Sequence, residues 1–160
     1  MITDEKINAD VITIHSPITG EMIPLSEVKD EAFSTGMLGN GVGFEPLEGK
    51  VVAPFDGEVV SIFPTKHAIG LRSDSGVELL IHVGLNTVEL GGTYFDLIVK
   101  QGDHVKQGQM LLKFDIESLR SAGYVTQTPV VVTNTGDFKE IIIKTIGAKT
   151  ANDEIFTIKA

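Results

Sequence analysis

The amino-acid sequence predicts an all-β protein: an antiparallel β-sandwich or barrel, jelly-roll-like, with one or two short helices. Short apolar runs follow one another, and Gly, Pro, Asp or Asn punctuates them about every eight to twelve residues. Only residues 28–38 and 116–121 have helical character, and Asp115 is the N-cap candidate of the second stretch. Many short strands with so little helix are typical of sandwiches and closed barrels.

The predicted strands are rich in Val, Ile, Leu, Phe and Thr, and each is too short for a helix of ordinary length. Turn-forming residues bound them and set their limits along the chain. In chain order they are residues 11–15, 20–24, 42–46, 49–53, 57–63, 68–73, 78–83, 94–98, 110–114, 130–133, 140–145 and 154–158.

Two corners between strands share the pattern small-Pro-x-x-Gly-Glu, at residues 16–21 and 53–58. Pro restricts its φ angle, and Gly reaches positive φ without strain, so the pattern predicts turns. Two such corners predict two related sheet edges within one domain.

The length of 160 residues suits a single domain with a full core. We expect a flexible N-terminal segment at residues 1–9 and one domain at residues 10–160. Because the chain has no cysteine, disulfides and thiolate metal sites are excluded, which fits a cytoplasmic protein. The N-terminus lacks the features of a signal peptide, and no apolar run approaches the ~20 residues needed to cross a bilayer.

The net charge of −9 argues against nucleic-acid binding, which relies on a basic face. The same charge favours a partner that carries positive charge, and it also keeps a domain soluble.

Two of the four histidines lie in apolar segments that predict neighbouring strands. The two-residue period of a strand places the side chain of His82 opposite those of Ile81 and Val83. His67 lies in the preceding β-type segment, and a turn at residues 72–76 joins the two segments. Because residues equally far from a hairpin turn pair across the ladder, both imidazoles are expected to face one shallow apolar patch.

Three chemistries use such a pair of imidazoles. In metal binding the rings share a zinc ion, but catalytic zinc sites take three protein ligands and no nearby carboxylate is an obvious third. In general acid–base catalysis one ring shuttles a proton, yet no motif marks a Ser or Cys nucleophile. In nucleophilic catalysis one neutral ring takes a phosphoryl group, and the other donates a hydrogen bond to its oxygens. The remaining histidines, His15 and His104, are expected at the solvated surface.

The nucleophilic alternative also explains the surroundings of the pair. A phosphohistidine needs a ring held through its other nitrogen, commonly by a backbone carbonyl, and an apolar rim that excludes water. Thr65 is expected on the same strand face as His67, where its hydroxyl holds that ring in one tautomer. The candidate rim residues are Phe33, Leu38, Phe63, Leu80 and Val88.

The segment 102–111 has the spacing Gly-Asp-x-Val-x-x-Gly-x-x-Leu, which resembles barrel-sandwich hybrid domains, including biotinyl and lipoyl carriers. We take this spacing as a tight loop that feeds a strand. A swinging-arm carrier remains an alternative, although neither Met-Lys-Met nor Asp-Lys-Ala occurs in the chain.

Over residues 11–158 the chain closely resembles the glucose-family IIA proteins of the bacterial phosphoenolpyruvate:sugar phosphotransferase system. The resemblance rests on several ordered motifs at the family spacing. These are Ser16-Pro17-x-x-Gly20-Glu21, Phe33 with the segment 37–41, Val52-Ala53-Pro54-x-x-Gly57, Thr65-x-His67-Ala68, the run 77–84, Thr87-Val88, the Gly102 to Gly108 loop, and Thr128-Pro129-Val130.

The resemblance implies an antiparallel β-sandwich in which His82 is phosphorylated on Nε2. It implies that His67 stabilises the phosphoryl group in transit and that Thr65 orients His67. The donor and acceptor would be the phosphocarrier HPr and the IIB domain of a sugar permease, with regulatory partners in some lineages. No metal is implied, and no cofactor beyond the transient phosphoryl group.

The chain departs from the family at Asn40 and Asn86, where the family usually carries Asp. Asn86 removes a negative charge from the rim that would face a basic carrier, so we count it among the partner-binding residues. An enzyme alternative is a barrel-sandwich zinc peptidase of the lysostaphin type, which places a His-x-His pair on one strand. Here Gly84 stands at the second position, so that ligand is missing.

Overall fold

A computed structural model describes residues 11–160, and the segment predicted at residues 1–9 lies outside the described residues. Two short α-helices, α1 (Glu31–Ser34) and α2 (Ile116–Ser121), accompany the strands. Single 3₁₀ turns lie at Leu25–Glu27, Thr87–Leu90 and Thr135–Asp137. The strands are β1 (Val11–His15), β2 (Gly20–Pro24), β3 (Asn40–Pro46), β4 (Lys50–Val52), β5 (Gly57–Ile62), β6 (Ala68–Ser73), β7 (Glu78–His82), β8 (Phe95–Leu97), β9 (His104–Val105), β10 (Met110–Phe114), β11 (Val130–Val132), β12 (Glu140–Ile143), β13 (Gly147–Lys149) and β14 (Glu154–Lys159).

The described strands form one large sheet and two small ones. The eight-stranded sheet has the order β13-β2-β3-β11-β7-β6-β5-β9, and the three-stranded sheets have the orders β1-β14-β12 and β4-β10-β8. Every strand pair is antiparallel. Side chains from all three sheets, among them Phe44, Leu112 and Phe156, meet in a single buried cluster. The predicted all-β antiparallel sandwich with two short helices is confirmed.

The limits of the strands follow local sequence where the apolar pattern is strong. The strands β1, β2, β6 and β10 begin and end at the predicted residues. The sequence did not predict β9 or β13. The Gly-Ala-Lys segment of β13 has no β-branched residue and is a strand because its backbone pairs with β2.

The helix predicted at residues 28–38 is wrong in most of its length. Val28 is extended, with φ −70° and ψ 131°. Asp30 is the N-cap, and its carboxylate accepts a hydrogen bond from the backbone N–H of Ala32, so α1 begins only at Glu31. Gly36, at φ +78°, follows the last turn and stops the helix.

The two Pro-x-x-Gly corners need glycine for a reason other than the predicted one. Neither Gly20 nor Gly57 has positive φ. A Cβ on Gly20 would lie 2.3 Å from the carbonyl oxygen of Glu45, and one on Gly57 would lie 2.1 Å from that of Arg72. Each corner therefore needs glycine because the neighbouring strand passes too close for any side chain.

The two corners lie side by side, as hydrogen bonds between their backbones show. The N–H of His15 donates to the carbonyl of Pro54 at 3.0 Å, and the N–H of Val52 donates to that of Pro17 at 2.9 Å. The repeated motif thus joins the end of β1 to the end of β4.

The fold places β7 between β11 and β6, in the interior of the eight-stranded sheet. A side chain at the end of β7 is therefore held by paired strands on both sides. Across residues 11–160, none of the helices is long and apolar enough to cross a membrane.

We expect Gly57→Ala to lower the free energy of unfolding by about 1–3 kcal/mol, because its Cβ would overlap the Arg72 carbonyl. The matched control is Gly136→Ala. A Cβ there meets no atom within 4 Å, and its stability should stay equal or rise by about 0.4–1 kcal/mol. Urea unfolding followed by circular dichroism measures both values. Equal stability of the two variants would contradict the close-approach explanation.

Candidate functional site

His82 is the last residue of β7 and its side chain lies on the outer face of the eight-stranded sheet. Along β7 the buried residues Leu79 and Ile81 alternate with the partly exposed Leu80 and His82, and Val83 is buried again. This is the alternation predicted for the strand. The core side chains of β7 thus anchor the strand while the imidazole faces outwards.

The structure brings His67 and His82 together across the β6–β7 hairpin. Ala68 pairs with His82 in the ladder, and one step further the N–H of Val83 donates to the carbonyl of His67 at 2.7 Å. The two imidazole centroids are 4.7 Å apart and the rings are nearly perpendicular, at 80°. The histidines are diagonal neighbours rather than a directly opposite pair, and their rings meet edge to face.

His67 is oriented by the turn that precedes β6, not by a strand face. Lys66 has φ +63°, and its N–H donates to the carbonyl of Phe63 at 2.8 Å. This turn places the Thr65 hydroxyl 2.6 Å from Nδ1 of His67. The predicted contact between the two side chains is present, but the prediction that both lie on one strand face is wrong. The reason is the left-handed residue between them, which breaks the two-residue period.

The imidazole of His82 is held through its Nδ1 atom. Nδ1 lies 2.8 Å from the carbonyl oxygen of Gly84, which accepts its hydrogen. Gly84 has φ +76°, and a Cβ there would lie 2.6 Å from Cγ2 of Thr87, so the position admits only glycine. Since Nδ1 carries the proton in this arrangement, the lone pair of the neutral ring is on Nε2.

Within the described residues, Nε2 is not fully sealed in either histidine. Neither atom has a hydrogen-bond partner within the described residues. In that same part of the chain the only sealed side-chain nitrogen or oxygen without a partner is Nδ1 of His15. His67 is nevertheless 1% exposed as a residue, so little more than the edge of its ring reaches the surface.

Burial keeps both imidazoles neutral. Desolvation, followed by the positive charge of His82 when protonated, lowers the pKa of His67 from 6.5 to about 4, and the backbone of Thr65 opposes this shift only in part. Desolvation also lowers the pKa of His82, and the Gly84 carbonyl and the Asp30 carboxylate oppose that shift. Two neutral rings at pH 7 can act as nucleophile and hydrogen-bond donor, as nucleophilic catalysis requires.

Two aromatic rings of the predicted rim contact the histidines. The centroid of Phe33 is 5.1 Å from that of His82, and the centroid of Phe63 is 5.5 Å from that of His67. Phe63 is 39% exposed, whereas Phe33 is buried. Leu80 packs at the edge of the small apolar cluster that contains Phe33.

Gly43 of β3 lies against the apolar cluster that contains Phe33. A Cβ on Gly43 of β3 would lie 2.6 Å from Cγ2 of Val28, a member of the same cluster as Phe33. The glycine therefore lets the 25–35 segment lie close against the outer face of the sheet. The sequence analysis missed this role, although Gly43 lies within the strand predicted at residues 42–46.

The remaining rim candidates, Leu38, Asn86 and Val88, are exposed. Leu38 is 39% exposed and Val88 is 54% exposed. Asn86 is exposed with φ 61°, a conformation that Asn tolerates better than most residues. The hydroxyl of Thr87 donates to the carbonyl of Val83 at 2.6 Å and ties this turn to the residue after His82. Asn86 and Val88 thus belong to a segment fixed next to the site.

Asp30 is the charged residue that the sequence analysis missed. It caps α1, and its carboxylate lies near enough to His82 to act on the pKa of that ring. An Asp directly before a short helix is a typical N-cap and could have identified this residue. Because the predicted helix began at residue 28, Asp30 was placed inside it instead.

The other two histidines lie away from this face. His104 is exposed, as expected, and pairs with Glu58. His15 is partly exposed with Nδ1 sealed, so the prediction of a solvated ring is wrong for that atom. Across residues 11–160, no three His, Asp or Glu side chains gather in a way that could hold a metal ion.

Comparisons with known proteins agree on one family. A family model described as the phosphoenolpyruvate-dependent sugar phosphotransferase system, EIIA 1, matches residues 12–138. The chain is 53% identical over 134 residues to the PTS system beta-glucoside-specific EIIBCA component of Bacillus subtilis (strain 168), covering 84% of this chain. It is 45% identical over 150 residues to the PTS system glucose-specific EIICBA component of Staphylococcus saprophyticus, covering 94% of this chain. In both cases the match spans 22% of the relative's length.

A solved structure is similar over nearly the whole described fold. The glucose permease IIA from Mycoplasma capricolum superposes with a TM-score of 0.86 at 36% identity, over 92% of this chain and 95% of that one. This match covers almost the full length of the other chain, whereas the matches to the two relatives cover 22% of theirs.

The low pKa of His67 predicts a pH dependence of stability. Between pH 6.5 and about 4 the unfolded chain binds a proton at this residue that the folded chain does not, so the free energy of unfolding falls as the pH falls through this window. The loss should reach up to about 3 kcal/mol. Urea unfolding of wild type and His67→Gln at a series of pH values measures it.

In His67→Gln this part of the pH dependence should be absent, so the stability difference between the two proteins should change with pH. The control is His104→Gln, which removes an exposed histidine. Parallel curves for wild type and His67→Gln would contradict a buried, neutral His67.

Proposed function

Because the chain belongs to the EIIA 1 family of the phosphoenolpyruvate-dependent sugar phosphotransferase system, we propose that it carries a phosphoryl group on His82. As a phosphotransferase it would accept the group from the phosphocarrier HPr and pass it to the IIB domain of a sugar permease. The observation that carries this proposal is a pair of rings whose centroids are 4.7 Å apart and whose Nε2 atoms have no hydrogen-bond partner within the described residues.

His82 is the nucleophile in this proposal. Its Nε2 lone pair attacks phosphorus as the bond from phosphorus to the donor's leaving atom breaks, so the ring gains the phosphoryl group and the donor is released. The Gly84 carbonyl holds Nδ1–H throughout and disperses the positive charge that forms on the ring. Transfer to the acceptor runs the same step in the other direction.

His67 is the stabilising partner. In this proposal the Thr65 hydroxyl donates to Nδ1, so the proton of His67 is on Nε2, where it can donate to a phosphoryl oxygen. A donor fixed in advance beside the developing charge lowers the barrier for passing the group on to the acceptor. The rings of Phe33 and Phe63 flank the pair and exclude water that would hydrolyse the intermediate.

The partners follow from charge and from the relatives. The relatives are named EIIBCA and EIICBA components, which place EIIA in one chain with EIIB and EIIC, and this supports an EIIB acceptor. The net charge of −9 suits a donor with a basic face. We place the carrier in the cytoplasm beside a membrane permease, with Leu38, Leu80, Asn86 and Val88 in the partner-binding rim.

We expect His82→Ala to take up no phosphoryl group, because the attacking nitrogen is lost. His67→Gln should still accept the group but should pass it on roughly 10²–10³-fold more slowly, because only a transition-state donor is lost. Intact-mass spectrometry after incubation with phosphoenolpyruvate, enzyme I and HPr measures uptake, and a chase with a IIB domain measures transfer.

The expected product for wild type is one acid-labile phosphoryl group. Equal loss of uptake in both variants would argue against distinct roles for the two histidines. A wild-type protein that gains no mass would contradict the carrier function itself.

Asn86→Asp restores a rim charge, so we expect faster association with HPr and a steeper decrease of that rate with salt. The matched control is Asn152→Asp, since Asn152 is also exposed with positive φ, 79°, but lies in the turn before β14. Phosphotransfer rates across ionic strengths measure the effect. Identical salt slopes for Asn86→Asp and wild type would rule out a role for this position in docking.

A further inference from the structure

The strand β12 is an edge of its sheet. In the order β1-β14-β12 it pairs only with β14, so one side of its backbone has no strand partner. Its sequence, Glu-Ile-Ile-Ile, is apolar on both faces. Ile142 and Ile143 are each 37% exposed, and Ile146 just beyond the strand is 42% exposed. An edge strand of this kind is a template for pairing with another strand.

The hydrogen bonds between β12 and β14 show which backbone groups of β12 point away from β14. The N–H of Lys144 donates to the carbonyl of Ile155 at 2.8 Å, in register with the β12–β14 ladder. Because antiparallel residues alternate between bonded and non-bonded pairs, Glu140 and Ile142 also direct their backbone groups towards β14. The N–H and C=O groups of Ile141 and Ile143 therefore point out of the sheet edge.

This edge is complementary to a second copy of itself. An antiparallel pair with its two-fold axis at Ile142 places Ile141 of one copy opposite Ile143 of the other. These are the residues whose backbone groups point outwards. They can therefore form hydrogen bonds with the second copy while the hydrogen bonds between β12 and β14 stay in place. The same register places Glu140 of one copy opposite Lys144 of the other.

The charges extend the match on the outer face. Within one chain Lys159 lies 3.5 Å from Glu140, and Lys144 lies 3.8 Å from Glu154. Across the two-fold axis the row would read Lys159, Glu140, Lys144 and Glu154, so positive and negative charges alternate over four strands. Opposite charges at directly facing positions favour a strand pair, and like charges oppose it.

We propose that two copies of this chain associate through β12, forming a continuous six-stranded antiparallel sheet about a two-fold axis. The symmetric arrangement is closed: the two β12 edges pair with each other, so no third copy can add to the sheet there. Ile142 would contact Ile142 of the other copy on the outer face, and Ile143 would be covered on the core side. The His67–His82 site lies on the eight-stranded sheet, so phosphoryl uptake does not depend on this association.

A contact of one strand per copy is small, so a dissociation constant between about 1 µM and about 1 mM is expected. Sedimentation velocity of the full chain across that concentration range measures it. Ile142→Lys, which places two lysines face to face at the two-fold axis, should weaken the association by at least about tenfold.

The matched control is Ile98→Lys, since Ile98 is 47% exposed outside β12. This variant should dimerise as wild type does. A wild-type chain that stays monomeric up to about 1 mM would overturn the proposal, as would an equal effect of the two lysine substitutions.

Charge exchange tests the register. Glu140→Lys and Lys144→Glu each place like charges opposite one another in the pair, so each should weaken association, and the double variant should restore it. A double variant no stronger than either single variant would overturn the proposed register.

Amide hydrogen exchange of the wild-type chain needs no substitution. Exchange at Ile141 and Ile143 should slow as concentration rises, whereas the amide of Ile142 is already bonded to β14 and should change little. Concentration-independent exchange at Ile141 and Ile143 would likewise overturn the proposal.

Discussion

The site depends on the pairing of β6 with β7, and in particular on the hydrogen bond from the N–H of Val83 to the carbonyl of His67. This bond joins the residue after one histidine to the other histidine itself. It therefore sets the separation of the two rings at the level of the backbone, which deforms less easily than a side chain. The ladder beyond it, with Ala68 opposite His82, continues into the core of the large sheet. Two flexible imidazoles thus become one rigid pair, and the phosphoryl chemistry proposed for them relies on that rigidity.

The same packing that brings the rings together also sets their charge. His67 is almost fully buried, and its pKa falls to about 4 because the charged form loses water and faces a second imidazole. Phe33 adds to this environment at His82, and Gly43 lets Val28 of the same apolar cluster approach the sheet. The Gly84 carbonyl completes the site by directing the lone pair of His82 to Nε2.

The parts of the fold that the sequence predicted well are those that local pattern controls. β1 and β6 have clear apolar runs with turn residues at both ends, and their limits were correct. Asp115 and the helix after it were also correct, because an N-cap acts through its own first turn. The errors arise where distant contacts decide. β13 is a strand because β2 lies beside it, and Val28 at the start of the 28–38 segment is extended and packs against Gly43 of β3. Gly20 and Gly57 illustrate the same limit. The sequence identified both positions, but it did not show that glycine is needed there because a neighbouring strand passes close by.

For the site itself, the sequence alone determined which residues to examine. His67, His82 and Thr65 stand in motifs whose spacing identifies the family, and the alternation along β7 places His82 on an outward face. The tertiary structure decided how these residues meet. The left-handed conformation of Lys66 turns Thr65 onto His67. Asp30, as the N-cap of α1, brings a carboxylate near His82. The register across β6 and β7 sets the contact between the rings. The physical reason is that residue type and spacing constrain a chain over a few residues, whereas burial, pKa and ring contact depend on atoms that are far apart in sequence.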